Sequence, residues 1–302
     1  MTENVSCPGL SGRASRFYSS FVLLLILLIA AQPATSQTGK TTVNAAFWNI
    51  QWFPGGRPDA NASEEKQQTL AVHSDIKQLQ PDIMGMEEVR NWSMAALAVE
   101  PLPGMKVDVC ANFPPREGQN EAQEVAIASR FQPLSAWVEE WKPAGPATPP
   151  RGFAFAAYQL QPRQVLLVYC VHFKSNRGKI SENVPIREEA SRQLLSHVEA
   201  MKRAYGGMGQ IAWIIGGDFN TSLDDPRFGA EKTLRNLLKN GFSWAWQNVP
   251  ESSRMTLHGD KYYPPASFDH IFYGGLTLRQ ARVINTTRQA SDHKPIVVTF
   301  EF

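Results

Sequence analysis

The sequence is poor in cysteine, has no run of basic residues and has no long apolar segment after its first 31 residues. Its three cysteines include Cys7 near the N-terminus, which leaves Cys110 and Cys170. A disulfide between these two and a pair of free thiols both remain open. No Cys/His spacing typical of structural zinc occurs. The lack of Lys/Arg runs excludes a basic tail, but it does not exclude a polyanionic substrate.

The one long apolar run covers residues 21–31, follows Arg13 and Arg16, and precedes a stretch of small residues. This order is typical of a secretory signal peptide and is short for a membrane span. We therefore predict a signal peptide at residues 1–36, with an uncleaved anchor as the alternative. The mature chain would be secreted or periplasmic, begin near Gln37 and have no stable membrane insertion.

About 265 residues would remain after cleavage, enough for one large domain at 37–302. Predicted strands cover 43–50, 82–86, 105–110, 125–129, 134–138, 153–160, 165–172, 211–215, 268–273 and 296–300. Predicted helices cover 63–79, 187–203 and 231–239. In the first helix, Leu70, Ile76 and Leu79 are expected to face inward, and residues 141–150 are expected to form an exposed loop. Many strands with a few helices predict two packed sheets covered by helices.

Polar residues recur where the predicted strands end. The sequence GGDFN, with Asp218 and Asn220, directly follows the apolar run 211–215. Turn formation alone would explain its glycines, but the same pattern returns at other strand ends. The residues at these ends are Asn49, Glu87, Glu88, His172, Asp292 and His293. Since buried polar groups need partners, their convergence at one end of a sandwich would form a site.

Six short motifs in this order resemble the endonuclease/exonuclease/phosphatase superfamily, which has the deoxyribonuclease I-like fold. The motifs are FWNIQW with Asn49, MEEVR with Glu88, VHFKS with His172, GGDFN with Asp218 and Asn220, FDHI with Asp269, and SDHKP with Asp292 and His293. The resemblance covers about residues 43–302. It implies a four-layer α/β/β/α sandwich that hydrolyses phosphoesters with Mg²⁺, with Mn²⁺ or Ca²⁺ as alternative ions.

The resemblance also implies a metal site around Glu88. Magnesium prefers hard oxygen ligands and keeps several waters, so one or two side chains suffice. Glu88 is the expected carboxylate ligand, with Asn49 and Asp292 nearby. Glu87 is expected to point away from the site, because neighbouring side chains of a strand alternate between its faces.

The hydrolytic residues are assigned in the same way. His293 is the expected general base, because its ordinary pKa suits proton transfer near neutral pH. Asp269 would orient it. Asp218 would position the attacking water, and Asn220 would donate a hydrogen bond to a phosphate oxygen.

Three further residues narrow the resemblance to the secreted nuclease and sphingomyelinase branches. His172 would act as general acid or stabilise the phosphate in the transition state. Glu124 is expected to pair with His172, and Arg90 follows the metal ligand where an arginine of deoxyribonuclease I contacts DNA.

These observations predict an exported, metal-dependent endonuclease that acts on DNA as a monomer. A sphingomyelinase-like lipid phosphodiesterase and a phosphomonoesterase for small substrates are the alternatives. A binding module without activity is the alternative from another class. The intact set of catalytic residue types argues against the last, because a binding module needs none of them.

Overall fold

The computed structural model describes residues 41–114, 123–259, 261 and 264–302. The predicted leader at 1–36 lies outside these ranges. The described strands are β1 Thr42–Phe53, β2 Ile83–Val89, β3 Lys106–Cys110, β4 Glu124–Ser129, β5 Ser135–Glu140, β6 Gly152–Gln161, β7 Gln164–His172, β8 Gln210–Asp218, β9 Ser243–Trp244, β10 Asp269–Gly274, β11 Thr277–Val283 and β12 Ile296–Glu301. The α-helices are α1 Ala62–Ile76, α2 Trp92–Val99, α3 Ile180–Tyr205 and α4 Thr233–Lys239. None of these helices is long and apolar enough to cross a bilayer.

The strands form two six-stranded mixed sheets. The first has the order β11-β12-β1-β2-β4-β3, and the second has the order β5-β6-β7-β8-β10-β9. In the first sheet β1 and β2 run parallel, and in the second β7 and β8 do. The other pairs in both sheets are antiparallel.

The helices lie on the outer faces of the two sheets. Val72 and Ile76 of α1, with Ala95 of α2, pack on the outer face of the first sheet. Leu194 of α3 and Leu237 of α4 belong to the larger core that contains the second sheet. The predicted α/β/β/α sandwich is therefore confirmed.

Two glycines allow the sheets to approach each other closely. A Cβ at Gly85 would lie 2.3 Å from the Phe47 ring, and a Cβ at Gly216 would lie 2.4 Å from it. The buried Phe47 ring thus fills space that side chains at these positions would occupy. The first glycine of GGDFN therefore has a packing role.

Several local predictions need correction. Leu70 is 61% exposed rather than inward-facing. Ile76 and Leu79 are buried as predicted, together with Gln68 and Val72, so Leu70 alone of the three lies outside the inward face. Helix α3 begins at Ile180 although Pro185 lies inside it. The loop after β5 contains a 3-10 turn at Gly145–Ala147, and its first residue Trp141 is buried.

Helix α2 and strands β9 and β11 are additional to the predicted elements. Cys110 and Cys170 are both free thiols, and Cys170 is fully buried between the sheets. The disulfide alternative is therefore not realised.

Candidate active site

The strand ends that carry the motifs meet at one end of the sandwich. In the second sheet, His172 pairs with Asp218 in register, and Asp218 pairs with Asp269. In the first sheet, Asn49 pairs with Glu87. Asn49 reaches across to the second sheet, where its Nδ2 lies 3.2 Å from Oδ2 of Asp218. The predicted convergence of these residues is confirmed.

His293 is held by Asp269 and faces Asp218. Its Nδ1 lies 2.8 Å from Oδ2 of Asp269, and its Nε2 lies 3.8 Å from Oδ2 of Asp218. Burial opposes protonation of His293, but the charges of Asp269 and Asp218 outweigh it and raise the histidine pKa well above its ordinary value. Asp269 thus orients the ring, and the two carboxylates stabilise the imidazolium that forms when His293 takes up a proton.

Asp218 is surrounded by hydrogen-bond donors. Asn220 donates its backbone N–H to Oδ1 at 2.8 Å and its Nδ2 to Oδ2 at 3.0 Å. Oδ2 also lies 3.7 Å from Nε2 of His172. Burial raises the pKa of Asp218 to about 7, the charge of His293 opposes this shift, and the charge of Asp269 adds to it. Asp218 therefore lies between two imidazoles at the centre of the cluster.

Glu88 occupies an irregular position at the end of β2. Its φ is +60° where the β1–β2 register shifts. Its Oε1 accepts from Nδ2 of Asn49 at 3.3 Å, and its Oε2 accepts from the backbone N–H of Trp52 at 3.2 Å. Burial and the nearby charge of Asp292 raise the pKa of Glu88. A cation at this place would relieve the repulsion between the two carboxylates.

Glu87 points away from this cluster into the space between the sheets, as predicted. It is fully buried, and its Oε1 accepts a hydrogen bond from Sγ of Cys170 at 3.0 Å. Burial and the charge of Asp269 raise the pKa of Glu87 well above its ordinary range, which disfavours the ionised carboxylate. A protonated carboxyl is a poor metal ligand.

The donor chemistry of the site fits a divalent cation. Among the described residues, Asp218, Asp269 and His293 form a group whose ligand atoms lie within 4.8 Å of one another. Asp269 and His293 already bond each other, which favours the Glu88 and Asp292 carboxylates as the residues that hold the ion. The amide of Asn49 turns its nitrogen toward the carboxylates of Glu88 and Asp218, and its oxygen accepts from the N–H of Gln51 at 3.0 Å. Asn49 as a ligand stays a prediction that requires the amide to rotate.

Glu124 and Arg90 have identified partners near the site. Both carboxylate oxygens of Glu124 accept from the backbone N–H of Phe113 at 3.0 Å. The pairing of Glu124 with His172 stays a prediction. Arg90 Nη2 lies 2.7 Å from Oε1 of Glu65 and also donates to the carbonyl of Pro54. Its contact with substrate stays a prediction too.

A polar cavity of about 210 Å³ opens over Glu88 and His172. Its lining also includes Gln51, Trp52, Gly56, Arg57, Pro58, Gln123, Arg151, Ser175, Arg177 and Asp292. Arg151, which the sequence reading missed, donates from Nη2 to the carbonyls of His172 and Phe173 at 3.0 and 3.1 Å. Its Nη1 donates to Oε1 of Gln123 at 3.1 Å, and the guanidinium adds positive charge to the cavity lining.

A family model described as Endonuclease/Exonuclease/phosphatase family matches residues 46–293, a span that contains every residue of the cluster. The chain belongs to this family. Members of this family are metal-dependent phosphoric ester hydrolases.

Individual relatives are more distant. A UPF0294 protein of Vibrio parahaemolyticus is 25% identical over 151 residues, which cover 50% of this chain and 45% of that protein. The chain thus spans about half the length of the curated relatives it matches.

Solved structures share the fold. The endonuclease/exonuclease/phosphatase from Beutenbergia cavernae superposes with a TM-score of 0.64 at 16% identity, covering 86% of this chain and 72% of that one. TDP2 of D. rerio, solved with a single-strand DNA product, superposes with a TM-score of 0.61 at 16% identity over 86% of this chain and 99% of that one.

Proposed function

We propose that the chain is an exported, Mg²⁺-dependent phosphodiesterase that cleaves DNA as an endonuclease. The observation that carries the hydrolytic part is the Asp269–His293 pair, which presents Nε2 of His293 beside Asp218 at 3.8 Å. A base that is oriented by one carboxylate and faces a second polar group is suited to activating a water molecule.

The residues divide the reaction between them. His293 accepts the proton of the attacking water at Nε2 while Asp269 holds its Nδ1–H. Asp218 positions that water, since its Oδ2 lies within 4 Å of both His293 and His172. The water oxygen bonds to phosphorus as the bond to the leaving oxygen breaks, and His172 supplies a proton to that oxygen. Asn220 and Arg151 stabilise the charge on the phosphate oxygens.

The carboxylates of Glu88 and Asp292 would hold the ion, with Asn49 beside them. Hard oxygen donors of this kind favour Mg²⁺, with Mn²⁺ or Ca²⁺ as the alternatives. When bound, the ion neutralises phosphate charge and polarises the phosphoryl oxygen.

The cationic lining of the cavity supports a polyanionic substrate. Arg57, Arg151 and Arg177 all line it. Arg57 forms an ion pair with Glu64, with Nη2 lying 2.8 Å from Oε2. No carboxylate among the described residues forms an ion pair with Arg177. Contacts of this kind hold the phosphate backbone of nucleic acids. The bound DNA product of the fold relative TDP2 agrees with this assignment.

A substrate panel tests the assignment. The mature protein is assayed with Mg²⁺ on supercoiled plasmid DNA, RNA, sphingomyelin vesicles, bis-p-nitrophenyl phosphate and p-nitrophenyl phosphate. We expect plasmid DNA to be cleaved fastest. Faster cleavage of sphingomyelin or of the monoester would replace the nuclease assignment with the corresponding alternative.

Export rests on the leader predicted at residues 1–36. Expressed with this segment, the protein should be recovered outside the cytoplasm with an N-terminus near Gln37. Recovery of the full-length chain in the membrane fraction would favour the anchor instead.

A further inference from the structure

Arg187 of α3 forms a fully buried ion pair with Glu231. Its Nε lies 2.8 Å from Oε1 of Glu231 and its Nη2 lies 2.7 Å from Oε2, with side-chain exposures of 0% and 2%. A buried ion pair is a weak source of stability, because desolvation offsets much of the attraction. The guanidinium also has a donor nitrogen outside the pair, which can fix the geometry of the neighbouring segment.

The third nitrogen of Arg187 holds the segment between β7 and α3. Nη1 donates to the carbonyl of Lys174 at 3.1 Å and to Oδ1 of Asn176 at 2.9 Å. The same segment brings Ser175 and Arg177 into the lining of the catalytic cavity. The buried guanidinium of Arg187 is therefore hydrogen-bonded to the segment that lines the catalytic cavity.

Asn176 extends this connection to the catalytic cluster. Its Nδ2 donates to the carbonyl of Asn220 at 2.7 Å. Asn220 has a φ of +53° and donates two hydrogen bonds to Asp218, one from its backbone and one from its side chain. Left-handed backbone is uncommon for residues other than glycine, and contacts on both sides of Asn220 hold it there.

We propose that Arg187 and Asn176 are positioning residues that fix Asn220, and through it Asp218, for phosphoester hydrolysis. Arginine suits this place because its planar fork serves a carboxylate with two nitrogens and further acceptors with the third. Lysine offers only a compact point charge. The inference rests on the role proposed above for Asp218 and Asn220.

The deciding variant is Asn176→Ala, with Asn183→Ala as its matched control. Asn183 anchors the same segment through a 3.0 Å hydrogen bond from Nδ2 to the carbonyl of Arg177, and it has no described bond to Asn220. The measurements are kcat and KM for bis-p-nitrophenyl phosphate with Mg²⁺, together with the melting temperature.

We expect Asn176→Ala to lower kcat by roughly 10- to 100-fold. KM should change by less than about twofold, because the variant disturbs the chemical step rather than binding. Asn183→Ala should keep the kcat of the wild type, and Arg187→Lys should reproduce the loss seen in Asn176→Ala. The melting temperature of Asn176→Ala should stay within about 3 °C of the wild type.

Two results would overturn the proposal. One is an unchanged kcat in Asn176→Ala, and the other is an equal loss in Asn183→Ala, which would indicate general loosening of the segment. Asp218→Asn separates these outcomes from failure of the proposed chemistry. If Asp218→Asn is inactive while Asn176→Ala keeps the activity of the wild type, only the positioning role is rejected. If Asp218→Asn is fully active, the proposed function is rejected. If Arg187→Lys does not fold, the Asn176 and Asn183 variants decide alone.

Discussion

The hydrogen bond between Asp269 and His293 joins the two sheets of the sandwich. Asp269 begins β10 of the second sheet, and His293 lies three residues before β12 of the first. The contact between Oδ2 and Nδ1 measures 2.8 Å. Asn49 and Asp218 make a second such connection. The catalytic geometry therefore depends on how closely the sheets pack.

The second glycine of GGDFN should be intolerant of a side chain. Gly217 has a φ of +133°, and a Cβ there would lie 2.1 Å from the carbonyl oxygen of Val171. We expect Gly217→Ala to destabilise the fold by more than about 1 kcal/mol and to lower activity. Gly207→Ala is the control, because a Cβ there meets nothing within 4 Å. Equal unfolding transitions for Gly217→Ala and the wild type in urea would show that the strand is not constrained as described.

Removal of the Glu88 charge should weaken metal binding. Glu88→Gln keeps the shape of the side chain and deletes one of two carboxylates that share the site. We expect the Mg²⁺ affinity, measured by calorimetry on metal-free protein, to fall at least about tenfold. Glu87→Gln is the matched control, because that carboxyl is fully buried between the sheets and accepts a hydrogen bond from Cys170. Equal losses in both variants would contradict the assignment of Glu88.

Removal of an arginine beside the site should reduce the cleavage of DNA more than the hydrolysis of a small substrate. Arg177→Ala and Arg90→Ala should each reduce kcat/KM for plasmid DNA roughly 3- to 10-fold and reduce its salt dependence. Hydrolysis of bis-p-nitrophenyl phosphate should remain nearly unchanged. Arg279→Ala serves as control, because Arg279 lies on β11 and pairs with Glu301 at the far end of β12. An unchanged rate on DNA for both variants would remove these residues from the substrate path.

Glu124 should make stability depend on pH. Burial raises its pKa to about 7, against an ordinary value of 4.5. The folded state therefore binds the proton more tightly than the unfolded chain, and the resulting stability is lost as pH rises from 4.5 to about 7.

The wild type and Glu124→Gln are compared by urea unfolding across this range. Both proteins contain the other carboxyls with raised pKa values. The difference between their free energies of unfolding therefore reports the contribution of Glu124 alone. The stability of the wild type relative to the variant should decline through this window and level off above it. A difference that does not change with pH would contradict the raised pKa.

Much of the site was predictable because the sequence pattern indicates where the strands end. Apolar runs that stop at His172 and Asp218 mark the ends of β7 and β8, and the run before Asn49 stops four residues before the end of β1. Packing of the sheets brings these three residues together. The opposite orientations of Glu87 and Glu88 also followed from strand alternation.

Other features depend on contacts between distant residues. Arg187 and Glu231 are 44 positions apart, and no local pattern links them. Arg151 adopts a φ of +69° and bonds the end of β7, which its neighbours in sequence do not indicate. Helix α2 was missed because it is short and apolar on most sides, although the Asn91 cap, which accepts from Met94 N–H, was a usable signal.

Nicking of supercoiled plasmid by the wild type and by His293→Ala, with Mg²⁺ and with EDTA, tests the central claim most directly. We predict Mg²⁺-dependent nicking by the wild type, no nicking in EDTA, and a rate about 10²- to 10⁴-fold lower for His293→Ala. Undiminished cleavage in EDTA, or a fully active His293→Ala, would contradict a metal-dependent hydrolase in which His293 is the base.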